Sequence, residues 1–270
     1  MAGVKRSHDG MEIASSSSSP SPYISLFESY RSELDQHHDR REKIIKASRD
    51  ITAQSKKIIF ALQRVRDLGR PVHVSIAKQI DPMYATINTL FESIVPDLQG
   101  INAHRYRGNI TGGIQEFMEA VLFHSYLETQ CLLTPEAAQA KLPQGIILTH
   151  EDYILGIFDM TGELMRFAIT YMATNGKLPG STQDSESSSK SSILTDMQSL
   201  RNTLELMDPS GTYPLSKEFY KKLSVTRTSV EKVENGVYSM IVRGQERPKG
   251  WRPDTNFSEG PRESDQIEGY

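Results

Sequence analysis

Asp152-Tyr-Ile-Leu-Gly-Ile-Phe-Asp-Met-Thr-Gly-Glu-Leu-Met-Arg166, continuing through Phe167-Ala-Ile-Thr170, is the stretch that decides the fold. At 100° per residue, Ile154, Ile157, Phe158, Met160, Leu164, Met165, Phe167 and Ile169 cover most of a helical wheel. A helix that is apolar over most of its circumference is a buried one. What remains is a narrow polar stripe of Gly156, Asp159, Glu163, Arg166 and Thr170, which must therefore face something specific inside the protein. Thr149, three residues before Asp152, caps the start of this helix, and Asn175-Gly176 ends it.

The flanking segments repeat the helical pattern. No Pro or Gly interrupts residues 25–67, and Phe27, Tyr30, Leu34, His37, Arg41, Ile44, Ser48, Ile51, Ser55, Ile58, Leu62 and Val65 follow an alternating three-four step. The seam is apolar at both ends and polar in the middle. Two readings stand: the seam packs on other helices, with its polar middle at a cavity or interface, or its phase slips near His37 and the middle faces solvent. A second helix is expected over 74–95, where Pro82 either kinks it or restarts it from Asp81. A third is expected over 102–129, a short fourth after Thr134-Pro135, a sixth over 193–207 and a last from Ser216 to about Arg243. No segment carries the period-two alternation of a strand. The expectation is an all-α fold, a single-domain bundle of about seven helices with antiparallel neighbours.

Composition bounds the rest. Residues 1–22 end in a Ser/Pro run, and 245–270 are rich in Pro, Gly and charge. Both read as disordered tails around a helical domain at 23–244, with a flexible Ser-rich loop at 177–192. Lone Trp251, in the second tail, reads as a partner contact or as nothing. The single cysteine, Cys131, permits no internal disulfide and suits a reducing compartment, cytoplasmic or nuclear. Lys5-Arg6 with His8 is a weak basic cluster that a nuclear address or a solvated tail explains. No apolar run approaches a membrane span. A net charge of -3 makes any nucleic-acid contact a matter of local patches.

One other stretch carries chemistry. In Gly112-Gly-Ile-Gln-Glu-Phe-Met-Glu-Ala-Val121, Glu116 and Glu119 stand three residues apart, adjacent on a helix surface, with Phe123 and Tyr126 for company. The glycines cost helix stability and suggest a close approach by a neighbour or ligand. With Asp159 and Glu163 they make four acids on two buried-looking helices. Ionised together in a low-dielectric cavity, four acids require compensation, and a divalent cation supplies it. An all-oxygen set favours Mg²⁺, with Mn²⁺ also accommodated, over Zn²⁺. Salt bridges to basic residues, Arg166 among them, or plain solvent exposure would also account for the acids. A di-iron bundle wants Glu-x-x-His, and the nearest histidine, His124, lies five residues past Glu119. For nucleic acid, His37 and Arg41 on the first helix, and His104, Arg105 and Arg107 ahead of the Glu pair, are candidate phosphate contacts.

Four segments then carry a family resemblance: Leu34-Asp-Gln-His-His-Asp-Arg40 with Ser48-Arg-Asp-Ile-Thr52; Gly113-Ile-Gln-Glu-Phe-Met-Glu-Ala-Val121; Asp152 to Arg166; and Val230-Glu-Lys-Val-Glu-Asn-Gly-Val-Tyr238 with Val242-Arg-Gly244. Together they resemble the translin superfamily over about residues 25–244. The Glu-x-x-Glu plus Asp-x-x-x-Glu combination resembles the branch distinct from translin itself. The resemblance implies an all-α, seven-helix fold and a hetero-oligomer with translin, closed like a barrel around RNA. It also implies a Mg²⁺-dependent endoribonuclease acting on single-stranded RNA, with passenger-strand removal in RNA silencing and trimming of tRNA precursors as family roles. Glu116, Glu119 and Asp159 would be the metal-binding catalytic acids, with Glu163 adjacent. The alternative is a non-catalytic nucleic-acid-binding and assembly subunit.

Overall fold

The computed structural model describes residues 22–180, 192–211 and 215–244, and all its regular structure there is helical. The Ser/Pro tail up to residue 21, most of the Ser-rich loop and everything from 245 onward, Lys5, Arg6, His8 and Trp251 included, lie outside the described residues. Eight α-helices are present among them: α1 (Pro22–Leu62), α2 (Val74–Ile94), α3 (Ile101–Arg105), α4 (Arg107–Thr129), α5 (Pro135–Gln139), α6 (His150–Asn175), α7 (Ile193–Glu205) and α8 (Leu215–Gly244). A 3-10 turn, Val95–Leu98, follows α2.

Local signals set most of these ends. The Thr149 side chain accepts from the Asp152 N–H at the start of α6, and Gly176 closes it in the left-handed region at φ 62°. Thr134 caps α5 with Pro135 in its first turn. Pro82 sits inside α2 without interrupting it. It lies on the exposed face, where the carbonyl that its missing N–H leaves free is open to solvent.

The expected third helix is two. The chain breaks at Tyr106, whose φ of -104° and ψ of 4° fall outside the helical region and whose ring is buried. Neither Pro nor Gly marks this break. Burying the Tyr106 ring is a tertiary demand, so periodicity runs straight through it.

α6 lies at the centre and packs most extensively against α4 and α8. The neighbours on either side run parallel to it. Gln115 reaches Asp152 at 3.0 Å, the Phe123 ring meets Phe167 with centroids 6.4 Å apart, Phe158 meets Phe219 at 4.9 Å, and Thr161 meets Thr226 at 3.0 Å. The sequence order of these contacts rises together along both helix pairs. This corrects the expectation of antiparallel neighbours at α6 alone, since α2 runs antiparallel to α4 with Tyr84 on His124 and Phe91 on Phe117: residues 130–149 and α7 return the chain each time, so α4, α6 and α8 all point the same way. α7 runs back along α8, with Gln198 on Glu234 and Arg227 on Glu205.

Two glycines allow the helices to come close. A Cβ on Gly113 would lie 2.9 Å from Ser48 Oγ and 3.1 Å from Ser48 Cα, on α1. A Cβ on Gly156 would lie 2.9 Å from Met118 Cβ and 3.6 Å from the Glu119 nitrogen, on α4. Gly112, by contrast, has nothing within 4 Å of that position.

The chain clusters into two units, residues 1–42 and 43–270. In the first, Tyr23, Phe27, Tyr30 and Leu34 are exposed. In the second, the α1 seam is buried at Ile44, Ser48, Ile51, Ser55, Ile58 and Leu62, so there the polar middle packs inward. Ser48 Oγ accepts from the Gly113 N–H at 3.1 Å, while Ser55 Oγ is buried with no hydrogen-bond partner. Among the described residues no helix is long and apolar enough to cross a membrane.

Candidate functional site

α4 and α6 bring the acids together. Glu116, Glu119 and Glu163 line one cavity of about 500 Å³ with Lys56, Ile59, Phe60 and Gln63 of α1 and Arg166 of α6. Asp159 stands beside Glu119, its charge the strongest of those acting on that carboxyl. The close approach at Gly156, one turn before Asp159, is what sets the two helices at this spacing.

Each of three acids has its own cation. Lys56 Nζ lies 3.3 Å from Glu116, Arg166 is 3.1 Å from Glu163, and Lys222 Nζ of α8 is 2.5 Å from Asp159. Gln63 holds the Glu163 carboxylate at 2.6 Å and its backbone carbonyl at 3.1 Å. Glu119 alone of the four has no ion pair among the described residues. Burial, then the carboxylates of Asp159, Glu116 and Glu163, push its carboxyl up from 4.5 to about 8, with Lys222 pulling the other way. Among the described residues no three His, Cys, Asp or Glu side chains are gathered tightly enough to hold a metal ion. The three cations explain this: each draws one carboxylate toward itself.

Lys56 and Lys222 had no distinguishing mark in the sequence. Lys56 is one of many basic residues on α1, and Lys222 is one of a Lys-Lys pair on α8, distant in sequence from both acid pairs. Only the packing of α8 on α6 identifies Lys222: Phe219 and Thr226, on its own face, lock onto Phe158 and Thr161.

The other candidates lie elsewhere. Arg107, at the start of α4, bonds Thr149 at 2.7 Å and Glu151 at 3.1 Å and lies 3.9 Å from buried Asp152. It ties the beginnings of α4 and α6 together. His104 and Arg105 are on α3, beyond the Tyr106 break, and so are not on the helix that carries the Glu pair. His37 and Arg41 fall in the first unit, His37 3.8 Å from Glu33 and Arg41 3.1 Å from Glu42. His124 turns to α2, with Nδ1 3.2 Å from the Tyr84 hydroxyl, and lines a separate cavity with Phe91 and Phe117. It faces away from the acids and cannot complete a Glu-x-x-His ligand set.

The shifted carboxyl has a stability consequence. Unfolded, Glu119 ionises near 4.5; folded, it keeps its proton to about 8. The native state therefore binds more protons across this window and loses stability as pH rises through it. Glu119→Gln in metal-free buffer is expected to match wild type at pH 4.5 and to melt several degrees higher at pH 8, a gain on the order of a few kcal/mol. Equal melting temperatures at pH 8 would show that the carboxyl carries no such burden.

Comparison with known proteins follows the same lines. The model of the Translin family matches residues 39–244. Translin-associated protein X of Rattus norvegicus is 29% identical across 91% of this chain and 89% of its own length. The Translin-associated protein X homolog of Schizosaccharomyces pombe is 34% identical across 80% and 87%. Translin of Gallus gallus is 24% identical across 73% and 88%. Among solved structures, AfC3PO superposes with a TM-score of 0.56 at 19% identity, over 80% of this chain and 97% of that one. Apo-NeC3PO gives 0.55 at 16% identity, over 83% and 100%.

Proposed function

The chain belongs to the translin family, and from that premise we propose that its four-acid cluster is the active site of a Mg²⁺-dependent endoribonuclease that cleaves single-stranded RNA within a translin hetero-oligomer. The observation that carries this reading is the cluster of four carboxylates from α4 and α6, three of them (Glu116, Glu119 and Glu163) lining one cavity and Asp159 beside Glu119, with Glu119 half-buried and short of a cation. A fold does not need this arrangement; it costs stability, and such costs concentrate at functional sites.

The chemistry of the donor set suits a hard divalent ion, although in this structure ion pairs hold its members apart. All four groups are carboxylates, which suits Mg²⁺ or Mn²⁺. Glu116, Glu119 and Asp159 would hold the ion, with Glu163 beside them. Such an ion, when bound, makes water a usable nucleophile near neutral pH and offsets charge that builds on phosphate oxygens. The chain's own residues prepare for this. Glu119 would have to be ionised to hold the ion, and Gln63 keeps the Glu163 carboxylate turned into the cavity. Relatives named for their association with translin support the partner. Passenger strands and tRNA precursor fragments are the single-stranded RNA substrates that the reading extends to, in cytoplasm and nucleus.

The second reading is a non-catalytic nucleic-acid-binding and assembly subunit. It draws on the three ion pairs, which leave the acids nearly neutral without any metal. Chelation separates the two. With the chain assembled with translin, EDTA is expected to stop cleavage of a labelled single-stranded RNA and leave the oligomer's mass unchanged by light scattering. Cleavage that continues at the same rate in EDTA would rule out the metal reading, and absence of cleavage in Mg²⁺ would favour the assembly subunit.

A further inference from the structure

Lys222 is held in a fixed position by features that have nothing to do with its charge. Phe219, three residues before it, is fully buried edge-to-face on Phe158 at 4.9 Å. Thr226, four residues after it, shares a buried hydroxyl contact with Thr161 at 3.0 Å. The ammonium therefore enters the space beside α6 between two anchors, on the side chain's own helix face. It is only 20% exposed, and it meets Asp159, itself 34% exposed, at 2.5 Å. This differs from the surface pairs of the same site. The Lys56 and Arg166 side chains are 64% and 65% exposed and are free to swing into water. Lys222 has little solvent to retreat to, and its pair with Asp159 lies in the half-buried regime where charge pairing is strong and removal of one partner is felt by the other.

Resting on the catalytic reading above, we propose that Lys222 is the built-in counter-cation of the acid site, which occupies Asp159 until a divalent ion displaces it. Asp159 is then not an idle ligand waiting for metal. Metal entry has to break one charge-assisted contact, so the apparent affinity for the ion is lowered by the free energy of that contact. The arrangement keeps the four acids compatible with folding in the absence of metal. It also makes the site's hold on the ion weaker than its ligand count alone would set.

The test is Mn²⁺ binding by the full chain in its translin assembly, followed by the loss of the free-ion signal in electron paramagnetic resonance. Lys222→Met, of similar length and without charge, is expected to tighten Mn²⁺ binding by about tenfold. Lys222→Arg, which keeps a cation against Asp159, should stay within a factor of two of wild type. Lys221→Met is the control for net charge, since that neighbour is exposed; it should change nothing. Circular dichroism melting establishes that each variant is folded. Equal affinity in Lys222→Met and wild type would overturn the proposal, as would an equal gain in Lys221→Met, which would make the effect one of overall charge. Failure of the underlying reading looks different: no Mn²⁺ bound by wild type or by any variant, which overturns both.

Discussion

Glu116→Ala is expected to assemble with translin as wild type does and to cleave single-stranded RNA in Mg²⁺ at least about 100-fold more slowly, a loss of about 3 kcal/mol of transition-state stabilisation. The two halves of this expectation rest on different magnitudes. Structurally, Glu116 contributes one ion pair, to a Lys56 side chain that is 64% exposed. An exposed pair of that kind is worth about 1 kcal/mol or less, too little to unseat α4. Chemically, it is one of the three carboxylates assigned to the ion, and its neighbours Glu119 and Asp159 cannot reach further to replace it. The right comparison is Glu205→Ala on α7, which breaks an ion pair with Arg227 at 2.7 Å away from the cavity. Glu205→Ala should keep full cleavage. If Glu116→Ala assembles and cuts at the wild-type rate, the four-acid cluster is not the active site.

The second large effect concerns two adjacent glycines with opposite expectations. Gly113→Val is expected to lower the melting temperature by about 10 °C, roughly 3 kcal/mol for a chain of this size. The new Cβ would meet not only the Ser48 hydroxyl at 2.9 Å but the backbone of α1, at Ser48 O 3.0 Å and Ser48 Cα 3.1 Å. α1 can yield only by moving as a rod, which strips Ile44, Ile51 and Ile58 from the core that buries them. It would also lose the Gly113 N–H to Ser48 Oγ bond. Gly112→Ala enters open space on the same helix and should raise stability by up to about 1 kcal/mol through helix propensity alone. Thermal melts of the two variants decide it. A Gly113→Val chain that melts with wild type would mean that α1 does not press on α4 as described.

These glycines also show where reading from residues stopped. Gly112-Gly113 in a helix announces a close approach but not its occupant. A neighbour or a ligand would serve; the structure fills the Gly113 side with Ser48 of α1 and leaves Gly112 open. The four acids were legible, because Glu116 with Glu119 and Asp159 with Glu163 repeat at helical spacing amid residues that mark buried helices. Their partners were not. Arg166 stands one turn from Glu163 on its own helix and was visible as a salt-bridge candidate, whereas Lys56 and Lys222 arrive from α1 and α8. Arg107 read as a phosphate contact because it precedes the Glu pair, but its Nη2 is bonded to Thr149 and Glu151.

The sequence by itself determined the helices and most of their ends, and it marked the four acids that the structure brings together. Caps, glycines and the 3.6-residue period are interactions within a turn or two of chain, and so they are written where they act. Only the tertiary structure decided that α4, α6 and α8 run parallel, that the chain breaks at Tyr106, and that Lys222 meets Asp159 across 63 residues of chain. Those outcomes follow from which buried surfaces fit one another, and a contact between distant residues has no period from which to read it.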